Sequence, residues 1–67
     1  MKLITIYEGK TVNAINIDDI EALVMSELEI KVVCPKYNYY ESFKTVEETK
    51  KRYNELTRII RLDGEFE

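Results

Sequence analysis

The chain has 67 residues, a net charge of −3, one cysteine and no histidine. A single small domain follows, and at this size only about 60% of the unfolded surface is buried. A disulfide framework is excluded because Cys34 has no partner in the chain, a zinc site has too few ligands, and the acidic balance argues against a general nucleic-acid binder.

The hydrophobic fraction of 45% is enough for a real core. No apolar run approaches the ~20 residues that cross a membrane. The start, Met1-Lys2-Leu3-Ile4-Thr5-Ile6, lacks a signal-peptide pattern, and one free cysteine suits a reducing compartment, so a soluble cytoplasmic protein is expected. The charge is uneven. Residues 44–61 carry six basic side chains against three acids, whereas the remainder carries four bases and ten acids.

In chain order, Leu3 to Tyr7 is apolar and β-branched and reads as a strand. Glu8-Gly9-Lys10 is a turn. Thr11 to Ile17 reads as the returning strand, with Asn13, Ile15 and Ile17 on one face and Val12, Ala14 and Asn16 on the other. Asp18-Asp19 is a corner. Ile20 to Met25 fits either a short helix capped by an aspartate or a buried strand. The strand is expected, because the next segment needs a neighbour.

Leu28 to Val32 alternates, with apolar residues at 28, 30 and 32, and Val33 and Cys34 extend it to Pro35. Lys36-Tyr37-Asn38 turns the chain, and Tyr39 to Phe43 pairs back. Thr45 to Leu62 is then an amphipathic helix. Thr45-Val46-Glu47-Glu48 matches a capping box, in which the Thr45 hydroxyl accepts from the Glu48 amide and Glu48 reaches back to Thr45. Glu47–Lys51 and Glu48–Arg52 are spaced for i,i+4 pairing, and Gly64 stands where a C-terminal cap belongs. Val46, Thr49, Tyr53, Leu56 and Ile60 fall in one stripe about 80° wide. Ile59 and Leu62 lie off it, as candidates for an oligomer interface.

The fold class expected is α+β: an antiparallel meander of four to five strands packed by one C-terminal helix. Val46, Tyr53, Leu56 and Ile60 are expected to pack on Leu3 or Ile4, Ile15, Ile17, Ile30 and Val32.

Catalytic groups are not in evidence. There is no histidine base, the adjacent carboxylates of Asp18 and Asp19 point apart on a turn, and two glycines 55 residues apart make no phosphate loop. Cys34 reads as a buried structural thiol; the alternative is a reactive one activated by Lys31 or Lys36. No cofactor or metal is expected. The candidates for partner binding are Tyr37, Tyr39 and Tyr40, because tyrosine offers contact area at low entropic cost. Cross-strand aromatic packing explains them equally well. Lys51, Arg58 and Arg61 are further candidates. With Lys50 they span about 100° of the helix surface, where a solvated face is the plainer reading.

The run Ile15-Asn16-Ile17-Asp18-Asp19-Ile20-Glu21, an alternating strand, and Glu41-Ser42-Phe43 leading into Thr45-Val46-Glu47-Glu48 resembles the layout of small flagellar FlbD-like proteins. The order of strands and helix is also similar to the LytTR DNA-binding domain. The likeness covers about 45 residues of ordinary motifs; this chain has Lys36-Tyr37-Asn38-Tyr39 in place of an Asn-Gly hairpin and is too short for a full LytTR domain. It implies a fold and transfers no functional residue. The function expected is a small non-enzymatic adaptor or inhibitor of bacterial or phage origin that binds a protein partner or itself as a homo-oligomer. The alternative is a nucleic-acid-binding regulator that uses the basic helix face.

Overall fold

The computed structural model describes residues 2–61, with Arg61 placed in the backbone only. Five strands precede one helix: β1 (Leu3–Glu8), β2 (Thr11–Asn16), β3 (Ala22–Met25), β4 (Glu29–Val33), β5 (Tyr39–Ser42) and α1 (Val46–Arg61). A 3-10 turn, Ile17–Asp19, follows β2. The layout is α+β. The strands form two antiparallel sheets, β1-β2 and β3-β4-β5, and the chain reaches from one to the other through the 3-10 turn.

Local chemistry sets each boundary. Gly9 adopts φ 60 and is the one positive-φ residue described, so Gly9-Lys10 has the glycine-first arrangement of a type II′ turn. That turn fixes the register Glu8↔Thr11 through Leu3↔Asn16. Asn16 ends β2 because its side-chain oxygen accepts from the Asp18 amide at 2.9 Å, starting the 3-10 turn one residue before the predicted strand end. Residues 22–25 are a strand, which settles the helix-or-strand alternative. They pair with β4, and the Ser26 amide donates to the Glu29 carbonyl at 2.9 Å to close the hairpin.

The core collects Ile4, Ile6, Ile15, Ile17, Ile20, Leu23, Ile30, Val32, Leu56 and Ile60, all buried. Alternation explains the strand members, since every second residue of β1, β2 and β4 faces inward. The alternative of Leu3 or Ile4 resolves to Ile4, which is buried with Ile6 while Leu3 is exposed. Two expectations need correction. Leu28 is 44% exposed, because it precedes β4 and belongs to the hairpin. Val46 is 42% exposed, although it lies on the helix stripe. A helical wheel gives the direction of a side chain and not its height along the axis, and Val46 begins the first turn.

The helix start matches the capping box in part. The Glu48 amide donates to the Thr45 hydroxyl at 3.1 Å. The Glu48 carboxylate accepts from the Lys44 amide at 3.3 Å, one residue earlier than the pattern predicts. Thr49 is buried because its hydroxyl donates back to the Thr45 carbonyl at 3.0 Å, which leaves only its methyl to the core. Leu62 and Gly64 lie outside the described residues, and with them the expected helix cap and half of the expected oligomer interface.

Candidate functional site

Between the two sheets lies a seam that the sequence does not announce. Strands β1 and β5 run side by side without ladder bonds. Carboxylates join them instead. Glu41 on β5 accepts from the Tyr7 amide at 3.0 Å, and Glu8 on β1 accepts from the Tyr40 amide at 2.8 Å. Glu8 also accepts from the Asn13 side chain at 3.2 Å.

Arg52 of α1 completes the seam. Its Nε and Nη2 donate to the two oxygens of Glu41 at 2.9 and 3.0 Å, Nη2 donates to the Thr5 carbonyl at 2.7 Å, and Nη1 reaches Glu55 at 2.9 Å. The guanidinium also sits 5.9 Å from the centre of the Tyr7 ring, within cation–π range. The hydrogen bond to Glu41 raises the Arg52 pKa above its ordinary value; burial opposes this and Glu55 adds to it. The expected Glu48–Arg52 pairing therefore gives way to Glu41. A forked bond to a carboxylate that is 3% exposed outweighs a solvent-screened pair on the helix surface.

The sequence spacing pairs Arg52 with Glu48 and gives Glu41 no role in a site. One signal points to Glu41: it shares the inward parity of Tyr39 and Phe43, and an acid at an inward position needs a buried partner. Two small clefts flank the seam. One, of about 270 Å³, is lined by Tyr7, Glu41, Ser42, Phe43 and Arg52. The other, of about 230 Å³, lies between β1 and the helix and includes Leu56 and Ile59. Ile59, expected at an oligomer interface, is half-buried and packs on the core instead of standing free.

The tyrosines cluster at the β4–β5 end. Tyr37 is 60% exposed, Tyr39 is half-buried against the core and Tyr40 is exposed on the opposite face of β5, as alternation requires. The rings of Tyr37 and Tyr39 lie 4.7 Å apart at 43°. Hydrogen bonding with Tyr37 pushes the Tyr39 phenol up to about 12. These two rings border a cleft of about 270 Å³ whose other walls are Ile15, Asp19, Cys34, Pro35 and Lys36.

Cys34 lies just past the end of β4 and is half-buried. Burial raises its thiol pKa, and Asp19 and Glu21 raise it further. The thiol is shifted up and not down, which speaks against the alternative of a thiol activated by Lys31 or Lys36. On the helix, Lys50, Lys51 and Arg58 are exposed, while the Arg61 side chain lies outside the description. Thus Tyr37 and Tyr39 come together, Tyr40 stands apart from them, and the helix bases occupy a separate surface.

Among the described residues no group of three or more potential metal ligands is present, and no helix is long and apolar enough to cross a membrane. Comparison with protein-family models, curated proteins and solved structures finds no significant match to this chain.

Proposed function

We propose that the chain is a small non-enzymatic protein-interaction module, an adaptor or inhibitor, that engages its partner through the tyrosine end. The observation that carries this reading is the cleft bordered by Tyr37 and Tyr39. Rigid aromatic side chains beside a partly open concavity are the composition in which interface anchors seat. Beyond its contact with Tyr39, Tyr37 is 60% exposed, which leaves surface for a partner to cover. Burial, with Asp19 and Glu21 adding to it, disfavours the Cys34 thiolate, which favours a binding surface over nucleophilic chemistry there.

The test is affinity capture from a bacterial lysate, comparing wild type with Tyr37→Ala and Tyr40→Ala. A partner retained by wild type and by Tyr40→Ala, but lost with Tyr37→Ala, supports the cleft. Equal capture by all three sinks the tyrosine assignment.

A second reading is a nucleic-acid-binding regulator. It is favoured by the exposure of Lys50, Lys51 and Arg58 on one helix. A salt-dependent gel shift abolished by Lys51→Glu with Arg58→Glu supports it, and no shift at low salt removes it.

A further inference from the structure

Four strand edges lie outside the existing pairs: the side of β1 away from β2, the side of β5 away from β4, and the free edges of β2 and β3. The first two face each other across the seam and are occupied by side chains, with Glu8 taking the Tyr40 amide of β5. Arg52 takes the Thr5 carbonyl and Glu41 takes the Tyr7 amide. The free edge of β3 is only four residues long and has the helix packed against the strand. Strand β2 differs. It pairs with β1 alone among the described residues, and its six residues, Thr-Val-Asn-Ala-Ile-Asn, contain no charge and no proline.

The direction of its backbone groups follows from the register. The Ile17 amide donates to the Lys2 carbonyl at 3.0 Å, so residues 2 and 17 lie at a hydrogen-bonded position. Bonded pairs alternate along an antiparallel ladder, which makes 4/15, 6/13 and 8/11 the remaining ones. Residues 3, 5 and 7 of β1 then point away from β2, where Thr5 and Tyr7 meet their side-chain partners. By the same parity Val12, Ala14 and Asn16 point their backbone groups out of the sheet. Val12 is 63% exposed and Ala14 is exposed.

We propose that the free edge of β2 pairs antiparallel with β2 of a second copy of this chain, about a two-fold axis at Ala14. This goes beyond the partner-binding reading and uses none of its residues. The outward positions 12, 14 and 16 are symmetric about Ala14, so pairing Val12 with Asn16 and Ala14 with Ala14 satisfies the outward backbone groups of both copies. A small residue stands on the axis. In an isologous contact a charge near the axis meets its own sign, so a charge-free edge is what self-pairing needs, whereas a different partner would tolerate charge. Natural edges are ordinarily guarded by charge, proline or a bulge, and this one has none of these. Just outside the strand stand exposed Lys10 at one end and exposed Asp18 at the other, so an antiparallel contact brings opposite charges near each other at both ends. The joined sheet runs β1-β2-β2-β1 and carries Leu3, Tyr7 and Val12 of both copies on one face.

The experiment is sedimentation equilibrium of the full chain between about 10 and about 500 µM, since association follows mass action. Wild type is expected to reach twice the 8.0 kDa chain mass. Ala14→Lys and Ala14→Glu each place like charges on the axis and are expected to stay monomeric with unchanged circular dichroism. Mixing the two is expected to restore the doubled mass. A wild-type monomer across the whole range overturns the proposal, as does a dimer that survives both substitutions. If either Ala14 variant fails to fold, Val12→Pro provides the same reading, because it removes an outward amide and leaves the bonds to β1 in place: it loses the doubled mass when the edge pairs as stated, and an undiminished dimer overturns it.

Discussion

An acid that faces inward from a strand must find compensation inside the protein, because an unpaired buried carboxylate costs several kcal/mol. Glu41 finds it in the Arg52 fork and the Tyr7 amide. Glu41→Gln removes the charge while leaving Arg52 partly buried, and is expected to lower the unfolding free energy by about 2–3 kcal/mol in urea titration. A double-mutant cycle with Arg52→Gln is expected to be sub-additive, and additive losses would refute the coupling. Cys34 gives a second expectation at this scale. Its pKa lies above the ordinary 9.0, so alkylation at pH 8 should be slower than for a free cysteine peptide, and a faster rate would contradict the environment described. The linked stability has a definite sign. A thiol raised in the folded state contributes fully below its unfolded value, and the contribution fades as pH rises through the folded one. Tyr39 acts in the same sense, from its ordinary 10.0 to about 12. Unfolding midpoints should therefore fall as pH climbs above 9, which thermal melts across the alkaline range will read.

At the scale of elements, most of the architecture was legible. Period-two alternation placed the inward residues of β1, β2 and β4, and the capping pattern placed the start of the helix. Thr45→Ala removes the acceptor for the Glu48 amide and disturbs the turn on which buried Thr49 depends. A loss of about 1 kcal/mol is expected, read by the same urea titration, and no change would show that the cap is dispensable. The limits were also physical. Periodicity reports the direction of a side chain but not whether a neighbouring element extends far enough to cover it. Val46 is exposed for that reason. Ile59 shows the converse: the helix touches β1 as well as the three-stranded sheet, so its buried arc is wider than the apolar stripe. The tyrosine end was legible as composition, but the pairing of Tyr37 with Tyr39, and not Tyr40, needed the turn geometry.

For the whole molecule the decisive feature is how two sheets become one fold. No local pattern encodes the contact of β1 with β5, since their bonded residues are more than 30 positions apart in the chain. Each backbone amide across the seam depends on a different carboxylate, and this separation is testable. Glu8→Ala is expected to speed hydrogen exchange at the Tyr40 amide and leave Tyr7 protected, whereas Glu41→Ala, which removes the acceptor of the Tyr7 amide, should do the reverse. Parallel acceleration of both amides would show that the seam opens as a single unit.

A backbone ladder belongs to any sequence that stays extended, so substitution seldom touches it. The junction between these sheets belongs instead to Glu8, Glu41 and Arg52, each one codon away from a residue that cannot make the bond. The attachment of the β1-β2 hairpin is thus open to heritable adjustment without redesign of either sheet. Variants of this fold could hold the hairpin tightly, loosely or at a changed angle, and natural variation at those three positions is where such tuning would first be visible.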